Sequence, residues 1–386
     1  MSVSGPQGFR AAGVTAGIKS NGRPDLALVV NDGPRFAAAG VFTRNKVKAA
    51  PVLWSQQVLA DGQLRAVVLN SGGANACTGP EGFQTAHATA ERAAELLEVG
   101  PIDVAICSTG LIGAQLPRDA VLDGVAAAVA ALSADAGAGL AAATAVMTTD
   151  TVAKEAAHVD PAGWRIGGFT KGAGMIAPSM ATMLTVLTTD AVLDASELHA
   201  ALRAAVRVSF DRLDIDGSMS TNDTVLLLAS GASGTEPEPA AFTAALTAVC
   251  RDLAEQMQAD AEGVTKRITV RVTGAADEDE AVTIARSVAR DSLVKTALFG
   301  SDPNWGRVAA AAGYAEAQLD PERLDVTING ALLCRGGAAS GDRSAADLTG
   351  KDVLVEVELG LGDGTAEILT TDLSHAYVEE NSAYST

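Results

Sequence analysis

The sequence predicts an α/β protein. Three observations support this class: short apolar runs alternate with segments of helical spacing, the chain has 386 residues, and 48% of them are hydrophobic. A chain of this length and composition can bury one large core or two smaller ones. Only 4% of the residues are aromatic, and no repeat with a period of 20–50 residues is visible.

The first half of the chain contains four runs that read as strands, and one clear helix. Phe83–Glu98 has helical spacing, and Gly100 follows it as a stop signal. The strand-like runs are ALVVND at 27–32, AGVFT at 39–43, RAVVLNS at 65–71 and VAICST at 104–109.

In the second half, a glycine-rich loop from Gly168 leads through Pro178 into a β-branched run at 182–189, which reads as a buried strand. Asp194–Val208 reads as a helix capped by Asp194, and Gly231–Phe242 is the best linker candidate. The remaining expected elements are a strand at 224–231, a helix at 240–259, a strand at 267–274, a charged helix at 275–291, and strands around DVTING and VLVEVELG.

The net charge argues against nucleic-acid and anionic-membrane partners. Lys and Arg number 28 against 47 Asp and Glu, which gives −19, so no basic surface is expected to dominate. The charge is uneven, with 13 basic and 14 acidic residues up to Ala181, and 15 and 33 beyond it.

Cysteine usage and the absence of a visible targeting segment favour the cytoplasm. Cys77, Cys107, Cys250 and Cys334 are far apart and form no CxxC pair, as expected for reduced thiols. The first residues lack the apolar region of a secretory signal, and no stretch reads as a transmembrane helix.

Several kinds of chemistry have little support. His87, His158, His199 and His375 show no metal-ligand spacing, so neither a zinc site nor a histidine-based triad is expected. No phosphate-binding glycine loop is present. The run 212–223 resembles a calcium loop only in its glycine, because Arg212 and Asp223 occupy its first and last ligand positions.

A chain without a histidine base can still activate a hydroxyl if the nucleophile becomes the first residue of a new chain. Its own α-amine, with a pKa near 8, then serves as the base. Thr182 in PSMATML follows a loop with Gly172, Gly174 and Pro178 and begins a strand. By spacing alone, an ordinary strand threonine remains the favoured interpretation.

The extended segment KGAGMIAPSMATML, at 171–184, resembles the self-cleavage segment of the ornithine acetyltransferase family, the glutamate N-acetyltransferases of arginine biosynthesis. Further motifs of that family follow in order along nearly the whole chain. They are VFTRNKVKAAPV, NSGGANACTG, STGLIG, MTTDT, DGSMSTNDT, AEGVTK, DPNWGR and the terminal ENSAYST.

The resemblance implies self-cleavage between Ala181 and Thr182, which gives an α chain, residues 1–181, and a β chain, residues 182–386. Thr182 is then the nucleophile and its free amine the general base. The Thr109 hydroxyl and the Gly110 N–H would form the oxyanion hole. Without the resemblance, residues 108–110 read as a turn that closes a strand.

The family's substrate-binding positions fall on six residues of this chain. An ammonium such as Lys171 suits the α-carboxylate of an N-acetyl amino acid, and a carboxylate such as Glu262 suits the side-chain ammonium of ornithine. Taken singly, both read as solvated surface charges. The six positions are Thr148, Lys171, Thr182, Glu262, Asn381 and Thr386.

The implied reaction is a ping-pong acetyl transfer from N2-acetylornithine to glutamate through an acetyl-threonine. It needs no metal or organic cofactor, because the enzyme itself carries the acetyl group. Some family members also acetylate glutamate from acetyl-CoA, and the sequence leaves that activity open.

The fold implied by the resemblance is a layered αββα sandwich with a smaller C-terminal α/β domain, assembled as an α₂β₂ heterotetramer. Residues 182–239 would complete the sandwich, and 240–386 would form the smaller domain. Two positions depart from the family pattern. Ser179 stands where Asn is frequent, which bears on the cleavage rate, and Ala261 stands where Gly is usual, which bears on Glu262.

Two alternatives stay open from the sequence. One is a self-processing aminopeptidase or amidase, in which water accepts the acyl group. The other is a non-catalytic amino-acid-binding protein that keeps the scaffold.

Overall fold

The computed structural model describes residues 2–177 and 183–383. The chain divides into two compact units, one of residues up to Asp211 and Ser218–Met257, the other of Arg212–Gly217 and residues from Gln258 onward. Sheets and helices occur in both units. The predicted α/β class is therefore confirmed.

The strands of the first unit form two sheets. They are β1 Phe9–Val14, β2 Leu26–Asn31, β3 Ala37–Phe42, β4 Ala66–Ser71, β5 Val104–Thr109, β6 Lys154–Val159, β7 Arg165–Lys171, β8 Leu184–Thr189 and β9 Thr224–Ala229. One sheet has the order β1-β2-β4-β5, and the other has the order β3-β9-β8-β7-β6.

The two sheets share one hydrophobic core between outer helices. Leu28 and Leu69 from the first sheet lie in the same buried cluster as Val186 and Leu226 from the second. The helices are α1 Ala50–Val58, α2 Gly79–Leu97, α3 Arg118–Ala130, α4 Ala136–Ala145, α5 Ala195–Arg207 and α6 Pro239–Ala259. Helices α2 and α3 pack on the first sheet and α5 on β3, so the expected αββα sandwich is confirmed.

Strand β8 occupies the centre of the five-stranded sheet. It pairs in parallel with β9 and antiparallel with β7, and all six of its residues are buried. Leu184, Val186 and Leu187 are each at most 1% exposed. Burial of such side chains stabilises the fold by about 1.5–3 kcal/mol each, so the start of this strand is firmly held.

The second unit is built around a six-stranded sheet. Its strands are β10 Arg267–Ala275, β11 Asp325–Ile328, β12 Ala331–Arg335, β13 Ala338–Ala339, β14 Asp352–Glu358 and β15 Gly364–Thr371. Their order in the sheet is β13-β12-β11-β14-β10-β15. The helices are α7 Glu278–Arg290, α8 Ser292–Phe299, α9 Trp305–Gly313 and α10 His375–Ala383, and α7 packs across β10 and β15.

The predicted glycine-rich loop begins later than expected. Residues up to Lys171 belong to strand β7, and the loop starts at Gly172. The glycine at 168 is a packing residue, because a Cβ there would lie 2.6 Å from the Leu187 side chain and 2.9 Å from the Val186 carbonyl oxygen. It allows β7 and β8 to approach closely.

Helix α6 belongs largely with the first unit. The two units divide between Met257 and Gln258, whereas the expected boundary was at residue 240. The reason is contact with the five-stranded sheet and the residue that precedes β7: Gln256 Nε2 donates to the Glu155 carbonyl of β6 at 3.0 Å, and the rings of Phe242 and Trp164 lie 5.5 Å apart. The helix begins at Pro239, so the candidate linker is shorter than expected.

The expected cap of α5 is confirmed. The Asp194 carboxylate accepts the Glu197 N–H at 2.9 Å, and the Glu197 carboxylate accepts the Asp194 N–H at 2.8 Å. This reciprocal pair satisfies two backbone donors that a helix N-terminus leaves open.

The four cysteines are free thiols, and three of them are buried. Burial raises the pKa of Cys107 and of Cys250 to about 12. Both thiols therefore stay uncharged and pack as small hydrophobic groups. Among the described helices, none is long and apolar enough to cross a lipid bilayer.

Candidate active site

The end of β5 presents Thr109 and Gly110. Gly110 has φ +125°, and a Cβ there would lie 2.6 Å from the Gly73 backbone nitrogen, so this position requires glycine. Two hydrogen bonds at Ser108 stabilise this turn. The Ser108 hydroxyl donates to Asn70 Oδ1 at 2.6 Å, and the Asn222 side-chain amide donates to the Ser108 carbonyl at 2.8 Å.

Lys171 lies at the end of β7 and is 1% exposed. Its Nζ donates to Thr148 Oγ1 at 2.8 Å and to Thr109 Oγ1 at 3.3 Å. A hydroxyl has one proton to donate, and Thr109 receives a hydrogen bond from Lys171. Its own proton is therefore available to a third group. The structure thus brings together three of the residues predicted from the sequence.

Asp150 organises this cluster, and the sequence analysis did not identify it. Its buried carboxylate accepts hydrogen bonds from Lys154 Nζ at 2.7 Å, Gly172 N–H at 2.7 Å and Thr148 N–H at 3.0 Å. Its Oδ2 lies 3.9 Å from Lys171 Nζ. The sequence signal was an acidic residue two positions after Thr148 within MTTDT.

The pKa of Asp150 reflects these contacts. Burial disfavours the charged carboxylate, but the charges of Lys171 and Lys154 and the Lys154 hydrogen bond outweigh it. Together they lower the pKa to about 2. Asp150 is therefore ionised at any pH at which the protein works.

Lys154, Lys171 and Asp150 form a buried charged group, in which the two ammonium groups lie 2.7 and 3.9 Å from the Asp150 carboxylate. Lys154 and Lys171 are 0% and 1% exposed, and solvent screens their charges little. An ammonium such as that of Lys171 can hold the anionic group of a ligand by a charge-assisted hydrogen bond.

Asp223 lies just before β9 and was also missed as a site residue. It is fully buried, and its Oδ1 accepts the Met183 N–H at 3.1 Å. Burial raises its pKa well above the usual value, although the Met183 N–H, the Ser220 hydroxyl and the Lys171 charge oppose this. The uncharged form is thus favoured.

Glu262 and Asn381, which belong to the second unit, also lie together. Asn381 Nδ2 donates to Glu262 Oε2 at 2.9 Å, and Glu262 is 9% exposed. Burial raises the pKa of Tyr377, one helical turn before Asn381, and the charges of Asp216 and Glu262 raise it further. These carboxylates make the surroundings negative, as a cationic side chain requires.

Four of the predicted positions lie outside the described residues: Ser179, the cleavage pair Ala181 and Thr182, and Thr386. Among the residues that are described, no cluster of three or more His, Cys, Asp or Glu side chains could hold a metal ion.

Comparisons with known proteins show which family the chain resembles. The model of the ArgJ family matches residues 10–386. The arginine biosynthesis bifunctional protein ArgJ of Mycolicibacterium paratuberculosis is 62% identical, over 99% of this chain and 96% of the relative. The protein of the same name from Thermobifida fusca is 58% identical over the full length of both.

Among solved structures, the chain is similar to an ornithine acetyltransferase from Mycobacterium tuberculosis, described as complexed with ornithine. The identity is 58%, the match covers 47% of this chain and 96% of that one, and the TM-score is 0.46.

The fold and the full-length relatives define an acyltransferase of arginine biosynthesis. The chain belongs to the ArgJ family.

Proposed function

We propose that the protein transfers the acetyl group of N2-acetylornithine to glutamate by a ping-pong mechanism through an acetylated Thr182. The observation that carries the proposal is the buried contact of Lys171 with both Thr109 and Thr148. It places a cation beside a hydroxyl whose proton is free to stabilise an oxyanion.

The nucleophile of this proposal arises by self-cleavage. Thr182 Oγ attacks the Ala181 carbonyl, the amide becomes an ester, and water releases two chains of 181 and 205 residues. The freed α-amine of Thr182 then lies on the same residue as its hydroxyl and serves as the base.

In the first half-reaction, Thr182 Oγ bonds to the acetyl carbon of acetylornithine and the α-amine takes its proton. The acetyl oxygen becomes an oxyanion that receives hydrogen bonds from the Thr109 hydroxyl and the Gly110 N–H. The C–N bond then breaks, and the proton passes from the amine to the departing ornithine nitrogen.

In the second half-reaction, the uncharged amine of glutamate attacks the acetyl-threonine. The Thr182 α-amine takes a proton from the attacking nitrogen. The same two donors stabilise the second oxyanion, and Thr182 Oγ leaves with the proton that the α-amine returns to it. The acetyl group stays on the chain between the two steps, so the reaction itself consumes no cofactor.

Substrate recognition is proposed for charged and hydroxyl-bearing residues. The Lys171 ammonium suits the α-carboxylate that acetylornithine and glutamate share. Glu262, fixed by Asn381, suits the side-chain ammonium of ornithine. Thr148, Thr182 and Thr386 complete the proposed set.

The cellular form belongs to the same proposal. We place the enzyme in the cytoplasm as an α₂β₂ heterotetramer. Acetylation of glutamate from acetyl-CoA is a second activity that should be assayed.

Two measurements test the function. An intact-mass spectrum of the denatured protein should show two fragments that meet between Ala181 and Thr182, and Thr182→Ala should remain uncut and inactive. Acetylornithine incubated with glutamate should give N-acetylglutamate and ornithine. Release of acetate at the same rate without glutamate would identify an amidase instead. A single uncut, inactive species near 39.0 kDa would favour a binding protein.

A further inference from the structure

Asn222 is a buried residue to which the proposed mechanism gives no role. Its side chain is 4% exposed, and its Nδ2 donates to the Ala74 carbonyl oxygen at 2.6 Å and to the Ser108 carbonyl oxygen at 2.8 Å. Its Oδ1 accepts the Thr221 hydroxyl at 2.5 Å. Because an amide nitrogen has two protons to donate, both protons and the oxygen are engaged, and the side chain is fixed in one orientation.

The two carbonyl groups that Asn222 binds belong to two chain segments that meet at Gly110. One is the loop after β4, and the other is the turn after β5. The Ala74 N–H donates to the Leu111 carbonyl oxygen at 2.9 Å, and a Cβ at Gly110 would lie 2.6 Å from the Gly73 nitrogen. The amide of Asn222 therefore joins the two segments that enclose Gly110.

The hydrogen bond to Ser108 lies directly before the proposed oxyanion donors. A peptide unit is planar, so a fixed Ser108 carbonyl also fixes the Thr109 N–H and the direction in which the chain continues. The next two groups along the chain are the Thr109 hydroxyl and the Gly110 N–H. The position of both donors thus depends on a carbonyl group that Asn222 holds.

The residues after Asn222 hold the chain that leads into β8. Asp223 Oδ1 accepts the Met183 N–H at 3.1 Å, and the Thr224 N–H donates to the Met183 carbonyl oxygen at 3.1 Å. Met183 directly precedes β8. Three consecutive residues, 222–224, therefore connect the turn after β5 with the start of the central strand.

We propose that Asn222 is a positioning residue for acetyl transfer. Its amide sets the position of the Thr109 hydroxyl and the Gly110 N–H relative to Met183, and it acts through the turn because its own polar atoms are bound to the protein. The inference rests on the proposed function, in which these two groups stabilise the oxyanion. Displaced donors would stabilise the transition state less, while substrate could still bind.

A purely structural role needs a matched control, because loss of a buried amide leaves two carbonyl groups without a donor and destabilises any fold. Asn31 provides it. Asn31 is 0% exposed, and its Nδ2 donates to the Arg35 and Ala229 carbonyl oxygens at 3.0 and 3.2 Å. Ala229 ends β9, the strand that begins just after Asn222, so the two amides act alike at opposite ends of one strand.

The test compares Asn222→Ser with Asn31→Ser in the full-length protein. Serine is uncharged and too short to reach both carbonyl groups. We expect Asn222→Ser to lower kcat per cleaved molecule by roughly 30-fold and to change KM by less than about threefold. Asn31→Ser should keep kcat within about twofold of the wild type. Steady-state kinetics with acetylornithine and glutamate give both constants, and intact mass gives the amount of cleaved enzyme.

A double variant shows whether Asn222 acts through the donors. Thr109→Val alone should lower kcat by roughly 100-fold. Two independent effects would multiply to about 3,000-fold, but residues that act through one group are not additive in free energy. We expect Asn222→Ser combined with Thr109→Val to lower kcat by no more than about 300-fold.

Three results would each overturn the inference and leave the proposed function intact. They are a kcat of Asn222→Ser within threefold of the wild type, an equal loss in Asn31→Ser, and full multiplication in the double variant. Wild-type protein that is neither cut before Thr182 nor active in acetyl transfer would instead remove the proposed function, and the inference with it.

If Asn222→Ser does not fold, Asn222→Asp provides the second test. Aspartate keeps the size of the side chain but lacks the amide N–H groups that the two carbonyl groups accept. We expect its kcat to fall at least tenfold with KM within about threefold. A kcat within threefold of the wild type would overturn the inference.

Discussion

The Thr109 hydroxyl has a single proton, and its oxygen accepts a hydrogen bond from Lys171. Because Lys171 Nζ donates to its oxygen at 3.3 Å, the hydroxyl is oriented as a donor before any substrate arrives. An ammonium on the oxygen also makes the proton a better hydrogen-bond donor. Both effects are useful only where negative charge develops on a ligand.

Removal of this donor should slow the reaction without preventing substrate binding. We expect Thr109→Val to lower kcat by roughly 100-fold and to change KM by less than threefold. Thr109→Ser, which keeps the hydroxyl, should retain at least a third of the activity. Steady-state kinetics with acetylornithine and glutamate provide the measurement, and equal kcat values for the two variants would remove Thr109 from the oxyanion hole.

Asp150 should make stability depend on acidity in a defined window. Its pKa in the folded protein, about 2, lies below that of an unfolded aspartate, so its ionisation stabilises the fold above about pH 4, and this contribution is lost as the pH falls towards 2. We expect Asp150→Asn to lower the free energy of unfolding at pH 7 by about 2 kcal/mol.

Urea denaturation at several pH values checks this. The gap between the wild type and Asp150→Asn should narrow between pH 4 and pH 2. Asp123→Asn, an exposed position on α3, should stay within about 0.5 kcal/mol of the wild type at every pH. A gap that does not depend on pH would contradict the assigned role of the carboxylate.

At the scale of elements, the turn after β5 positions the Gly110 N–H, the second donor of the proposed oxyanion hole. Gly110 combines φ +125° with a backbone neighbour 2.6 Å from where a Cβ would lie. Gly113, three residues on, also has positive φ, +86°, but its Cβ would meet nothing within 4 Å. A substitution at Gly113 would therefore meet backbone strain alone, whereas one at Gly110 would meet both strain and a steric clash.

We expect Gly110→Ala to destabilise the protein by about 2–4 kcal/mol, since strain and collision add, and to abolish most turnover. Gly113→Ala should cost about 1 kcal/mol and keep near-normal kinetics. Thermal melts and kcat measurements distinguish them. If both variants behaved alike, the contact with Gly73 would not be what fixes the turn.

Sequence patterns predicted these elements better than they predicted the site. Local spacing predicted the strand that ends at Thr109, and a capping residue predicted the helix that begins after Asp194. The structure confirms both. Strand β7 was partly missed, because Gly168 looks like a loop residue until its contact with β8 is known.

Asp150 and Asp223 escaped prediction for a related reason. Their roles come from partners distant in sequence: Gly172 donates to Asp150 over 22 positions, and Met183 donates to Asp223 over 40. Spacing along the chain does not reveal such contacts. The family resemblance supplied the residues proposed to bind substrate, whereas Asp150 and Asp223 were found only from the fold.

At the scale of the whole molecule, the five-stranded sheet contains strands from both sides of the proposed cut. β3, β6 and β7 precede Ala181, and β8 and β9 follow Thr182. Strands from the two sides are paired directly: six residues of β7 pair with six of β8, and six residues of β3 pair with six of β9. Separation of the chains would expose the buried residues of β8 to water.

The cleaved chains should therefore remain associated. We expect both to elute together in size-exclusion chromatography in native buffer and in 1 M salt, because the contact is largely apolar and is little weakened by ionic screening. They should separate only in denaturant. Elution of free 181-residue and 205-residue chains in native buffer would contradict this.

The pairing of β7 with β8 on either side of the proposed cut should also make unfolding of the cleaved enzyme harder to reverse. Before the cut, the two strands are tethered by a short stretch of backbone, and their encounter is intramolecular. Afterwards, a denatured enzyme must reassemble from two separate polypeptides, so its recovery should depend on protein concentration, whereas uncleaved Thr182→Ala should regain its fold at any dilution. Efficient folding of the mature enzyme would then depend on the Ala181–Thr182 peptide bond, which is absent after the proposed cleavage.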